Sequence, residues 1–69
     1  MNQTDIITKL RKLLPGVKVS TETHTKFKKD YDVYVFNIGH TEIYIHTNDI
    51  KTDNDIMGVV KKIGSALYL

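Results

Sequence analysis

The chain has no cysteine, no tryptophan, one proline and four glycines, and none of its apolar runs exceeds a few residues. Without thiols there are no disulfides, no thiolate metal ligands and no cysteine nucleophile, a composition that fits a reducing compartment. The apolar runs fall far short of the roughly 20 residues that cross a bilayer, and the opening Met1-Asn2-Gln3-Thr4-Asp5 lacks the basic and apolar regions of a signal peptide. The expected location is therefore the cytoplasm, with no membrane span. Asn2-Gln3-Thr4 spells a glycosylation sequon, but with no export signal it reads better as a helix cap.

Reactive constellations are equally scarce. Ser20 and Ser65 are the only serines; neither sits in a nucleophile elbow, and no glycine-rich phosphate loop occurs. His24, His40 and His46 have no zinc-type spacing. Asp30 and Asp32 form a carboxylate pair only if strand alternation brings them to one side, and they read first as solvated residues beside a turn. No catalytic residue, cofactor or metal is expected.

What is present suffices for one small core. At 69 residues and 7.9 kDa the chain makes a single domain, 1–69, whose core supplies only about 3 to 5 kcal/mol of net stability unless something adds to it. A homodimer is one way to add to it. Net charge is +2 but unevenly spread: residues 1–29 hold seven Lys/Arg and two Asp/Glu, residues 30–69 three and six, so the halves carry +5 and −3. Such asymmetry steers association with charged partners at low salt.

Hydrophobic spacing then sets the order of elements. Ile6, Ile7, Leu10, Leu13 and Leu14 share one helical stripe across residues 3–14, with Asn2 as cap, Asp5 at the positive end of the helix dipole, and Pro15-Gly16 as stop. Lys9, Arg11 and Lys12 fall on the opposite side. From Val17 the period becomes two: Val17, Val19, Thr21, Thr23, Thr25 and Phe27 share a face, and the polar, threonine-rich middle suggests an edge strand. Lys28-Lys29-Asp30 is expected to make the turn. Residues 31–38 and 41–47 then form a hairpin about Gly39-His40.

Two registers are open. With Gly39-His40 as a two-residue loop, Tyr34, Phe36 and Ile38 share a face with Ile43 and Ile45, leaving Val33, Val35, Tyr44 and His46 opposite. With a bulged loop at Asn37-Ile38-Gly39 the valines join the isoleucines, because one residue of slip exchanges every side chain between faces. The first is preferred because it buries Ile38. Thr52-Asp53-Asn54-Asp55 resembles a capping box, and Ile56, Met57, Val59, Val60, Ile63, Ala66 and Leu67 trace a second amphipathic helix. Gly58 and Gly64 weaken that helix and are expected to permit close backbone approach. The fold class is thus α+β, helix, three-stranded antiparallel sheet, helix, with both helices on one face of the sheet.

That arrangement leaves the other face open, and several of Tyr31, Val33, Tyr34, Val35, Phe36, Tyr44 and His46 are expected on it, an apolar and aromatic density unusual for a wet surface. Lys26, Phe27, Lys28, Lys29 and Tyr31 add cations and rings at a turn, the composition of a nucleic-acid contact. Lys26, Lys28, Lys29, Tyr31, Tyr44 and His46 are the candidate partner-binding residues.

The element order resembles three groups of small proteins. It is similar to double-stranded RNA-binding domains, but that family grips phosphates at a lysine-rich start of its second helix. Here the position reads Thr52-Asp53-Asn54-Asp55, whose carboxylates repel RNA. It is similar to HicA-type toxin ribonucleases, with His46, Asp49-Ile50 and Val60-Lys61-Lys62-Ile63-Gly64 resembling their tail; their Gly-Ser-His catalytic segment is missing. The opening Met1-Asn2 and Asp5-Ile6, the run Val17-Lys18-Val19-Ser20 and the short hairpin about Gly39 resemble one branch of the small phage-encoded anti-CRISPR proteins that inhibit type II nucleases. Members of that group are commonly acidic, whereas this chain is slightly basic, so no contact residue is carried over.

That last resemblance implies a small phage or mobile-element protein that inhibits a host nucleic-acid-handling protein by stoichiometric binding. The alternative is a direct nucleic-acid-binding module using Lys9, Arg11, Lys12 and the turn lysines. An enzymatic reading would place ribonuclease chemistry on His24 or His46.

Overall fold

The computed structural model describes residues 2–67. Helix α1 (Gln3–Leu13) is followed by strands β1 (Lys18–Lys26), β2 (Lys29–Ile38) and β3 (Thr41–His46), a short 3-10 turn at Thr47–Asp49, and helix α2 (Asp53–Leu67). Among these elements no helix is long and apolar enough to cross a membrane.

Capping starts α1 where the sequence places it. The Asn2 side-chain oxygen accepts the Asp5 backbone N–H at 2.8 Å, satisfying one of the donors that every helix start leaves unpaired. At the other end the Leu14 N–H bonds the Leu10 carbonyl at 2.9 Å, and the Val17 N–H bonds that of Leu14 at 3.0 Å, turning the chain into β1. Ile6, Leu10 and Leu14 are buried, and Ile7 packs against them. Leu13 departs from the expected stripe: it lies at its margin and is 45% exposed.

The sheet is antiparallel in the order β1-β2-β3, which makes β1 an edge strand as expected. Ile38 pairs with Thr41, Phe36 with Ile43 and Tyr34 with Ile45, the register of the two-residue loop. Gly39 supplies that loop's positive φ of 60°, as a hairpin with glycine first requires. Val19 pairs with Phe36 and Thr21 with Tyr34, so Val19, Tyr34, Phe36, Ile43 and Ile45 stand on one face. Both helices cover that face. Leu10, Tyr34, Phe36, Ile50 and Ile56 are the largest side chains at its centre, and Ile63 completes the contact from α2.

The first hairpin differs from expectation. Lys26 pairs with Lys29, so the turn is Phe27-Lys28, and Phe27 does not continue the alternation of β1. Both turn residues have positive φ, 52° and 63°. Such a turn matches the twist of the two strands it joins, and the closing geometry prevails over the preference of a phenylalanine for extended backbone.

Helix α2 opens with a complete capping box. The Asp55 N–H donates to the Thr52 hydroxyl at 3.2 Å, while the Asp55 carboxylate accepts from the backbone N–H groups of Lys51 at 2.9 Å and Thr52 at 3.1 Å. The two backbone donors, with the Thr52 hydroxyl beside them, hold the Asp55 carboxyl below its ordinary pKa of 3.8. The expectation for Gly58 and Gly64 is overturned: a Cβ at either position would meet nothing within 4 Å, so neither serves a close approach. Met57, expected in the stripe, is 55% exposed.

Candidate binding face

Strand alternation places Lys18, Ser20, Glu22, His24 and Lys26 of β1, Lys29, Tyr31, Val33, Val35 and Asn37 of β2, and Glu42, Tyr44 and His46 of β3 on the side away from the helices. Five of the six residues proposed from sequence as partner-binding therefore share one surface: Lys26, Lys29, Tyr31, Tyr44 and His46. The sixth, Lys28, stands at the tip of the turn that borders it.

The register decides which rings meet. His24 pairs with Tyr31 across β1 and β2. The Tyr31 and His46 rings stack with centroids 4.7 Å apart and planes 15° apart. His24 lies 5.8 Å from the Tyr31 ring and meets Tyr44 edge-on at 5.4 Å. Four rings from three strands thus form one cluster. Its acidic neighbours are engaged locally, Glu22 with the His24 Nε2 at 2.9 Å and Glu42 with the Tyr44 hydroxyl, which donates to it. The bond to Glu42, partial burial and the negative charges of Glu42 and Glu22 push the Tyr44 phenol above its ordinary pKa of 10.0.

The aliphatic part of the expected surface is a different matter. Val33 and Val35 lie on this face as the register requires, but they are only 3% and 1% exposed. Their cross-strand neighbours are Glu22 and His46 for Val33, and Ser20 and Tyr44 for Val35. Because no helix covers this face, their burial follows from these neighbours within the sheet. What the face offers a partner is therefore ring edges, ring faces and polar tips, not branched aliphatics. Tyr34 and Phe36 face the helices and are fully buried, and burial pushes the Tyr34 phenol above 10.0.

Beyond the cluster the β1–β2 ribbon ends in the basic turn. Phe27 is 88% exposed, and the Lys26 Nζ lies 5.7 Å from its ring centroid. Lys26, Phe27, Lys29, Tyr31 and His46 line a shallow depression between the turn and the stacked rings. On the opposite, helix-side face Asp30 and Asp32 do share a side. Each accepts from a cross-strand threonine, Asp30 from Thr25 at 2.7 Å and Asp32 from Thr23 at 2.8 Å. They act as strand-pairing groups and lie away from the lysines.

The first helix contributes less cation than its sequence suggests. Lys9 pairs with Asp53 at 2.7 Å, joining α1 to the start of α2. The Arg11 guanidinium donates twice to the Val19 carbonyl, at 3.1 and 2.8 Å. Two of the three helix cations expected to meet phosphate are thus engaged within the fold. Among the described residues, no group of three or more His, Asp or Glu side chains is placed to hold a metal ion.

No known family, curated protein or solved structure matches the chain. The functional reading therefore rests on the chemistry of this face, together with the resemblance drawn from the sequence. Of the four clustered rings, His24 is the one that spacing did not single out as a partner contact. Its membership follows from the two-residue turn, which sets it opposite Tyr31, and that turn carries no conventional turn residue to announce it.

Proposed function

We propose that this chain is a non-catalytic binding protein, phage or mobile-element encoded, that blocks a host nucleic-acid-handling protein by one-to-one docking through the ring cluster and the basic turn. The supporting observation is the gathering of Lys26, Lys29, Tyr31, Tyr44 and His46, from three strands, on the side that no helix covers, with Lys28 at its border. Tyrosine and histidine rings give large contact area at low cost in conformational freedom, and lysines at the rim set orientation and encounter rate. The resemblance of Met1-Asn2, Asp5-Ile6 and Val17-Lys18-Val19-Ser20 to inhibitors of type II CRISPR nucleases names the first partner to test.

The experiment adds the chain in increasing amounts to a guide-loaded type II nuclease and follows target cleavage. Cleavage is expected to fall and to reach its floor near one equivalent. The double variant Tyr44→Ala, Lys29→Glu, checked for folding by circular dichroism, is expected to inhibit far less. Undiminished cleavage at a large excess of the wild-type chain would remove the nuclease as partner and the resemblance as a guide.

A further inference from the structure

We infer that the tip of the β1–β2 ribbon is a site for single-stranded nucleic acid, in which Phe27 and the stacked Tyr31–His46 pair receive bases while Lys26, Lys28 and Lys29 receive phosphates. The site goes beyond the inhibitory reading and does not depend on it.

The turn itself is the first observation. A two-residue hairpin with positive φ at both positions favours Asn-Gly or Asp-Gly, because left-handed backbone is costly for bulky L-residues. Here the positions hold Phe27 at 52° and Lys28 at 63°. The ring gains nothing from the core in return, being 88% exposed. Folding stability thus favours a different residue at this position, and strained backbone of this kind concentrates at sites of function.

Convergence is the second. Lys26, Phe27, Lys29, Tyr31 and His46 line one depression, so the phenyl ring and the stacked Tyr31–His46 pair border the same space. Charge is the third. Among the described residues none of Lys26, Lys28 and Lys29 is in a salt bridge. The nearest carboxylates in sequence, Asp30 and Asp32, are held by threonines on the other face, and Glu22 is held by His24. A cationic rim around exposed ring faces matches a strand whose phosphates alternate with accessible base planes. A duplex keeps its base planes stacked inside, and an acidic protein surface offers charge without an array of flat faces.

Fluorescence anisotropy of the whole chain against a labelled oligothymidylate of about 15 nucleotides, and against a duplex of equal length, tests the site. The single strand is expected to bind at least about tenfold tighter than the duplex, given the strength of base–aromatic stacking. The slope of log affinity against log salt should be near −2, from about 0.7 for each of three neutralised phosphates, and Lys28→Ala should reduce it by about 0.7. Phe27→Asn suits the left-handed turn and so preserves the hairpin; it is expected to weaken single-strand binding by about tenfold. Absence of binding at low salt, equal affinity for the duplex, equal affinity for polyglutamate, or an unchanged affinity in Phe27→Asn would each overturn the proposal. Nuclease inhibition is measured separately, so failure of either reading leaves the other standing.

Discussion

At Lys28 the backbone has a φ of 63°, and the preceding residue shares the left-handed region. An L-residue there carries a penalty of about 1 kcal/mol that glycine does not, because its Cβ crowds the carbonyl. Lys28→Gly is therefore expected to stabilise the chain by about 1 kcal/mol, raising the midpoint of thermal unfolding by roughly 4 to 8 °C for a domain of this size. A thermal melt followed by circular dichroism checks it; an unchanged or lower midpoint would mean that the lysine side chain itself supports the turn. The same position is expected to lose part of its salt-dependent binding, so stability and ligand contact should move in opposite directions at one residue. This is also where the sequence was least legible. Phe27 continues the odd-numbered alternation of Val17, Val19 and the threonines, and neither it nor Lys28 is a turn former. Nothing in local propensity marks the reversal, which the pairing of Lys26 with Lys29 imposes.

Among the elements, α2 depends most visibly on its first turn. The Asp55 carboxylate accepts from the backbone N–H groups of Lys51 and Thr52, and its pKa lies below 3.8 as a result. A carboxylate whose folded pKa is depressed contributes stability that is fully present above the unfolded value and is lost as pH falls through the folded value. Asp55→Asn is accordingly expected to be less stable than the wild type at neutral pH, with the gap between their unfolding midpoints closing as pH falls below about 4. Denaturant titrations of both proteins at several pH values measure that gap; a gap constant with pH would remove the carboxylate from the account. This cap was legible, since Thr52 and Asp55 stand at the spacing a capping box needs, and so were α1 and the second hairpin. Isoleucines and leucines one turn apart admit one helix phase, and Ile38 with Ile43 and Ile45 favours, over a bulged alternative, the register that packs all three against the core. The valines of β2 were harder. Strand alternation places Val33 and Val35 on the outer face, but whether neighbouring rings close over them depends on rotamers that alternation does not specify. Gly58 and Gly64 misled for the converse reason: a glycine in a helix signals close approach only where another backbone is near, and here none is.

As a whole the molecule measures 38 × 28 × 16 Å, a plate one sheet and one helix layer thick. So thin a body has a single packed layer, and each central side chain carries a large share of its stability. Leu10 is fully buried. Its truncation to alanine in a core of this kind costs about 2 to 5 kcal/mol, against about 3 to 5 kcal/mol available to a domain of this size. Leu10→Ala is expected to be largely unfolded at room temperature by circular dichroism; a cooperative transition at the wild-type denaturant midpoint would show that stability comes from elsewhere, such as a subunit contact. The plate also has two borders, and they are not equivalent. The Arg11 guanidinium occupies a carbonyl of β1, so a strand arriving there must first displace a charged, doubly bonded group. Where copies of this chain meet border to border, the join is thereby directed to β3 against β3. Such a contact is isologous, the same edge on both copies related by a two-fold rotation, and is used up once made, so association stops at a pair and does not propagate into a fibre.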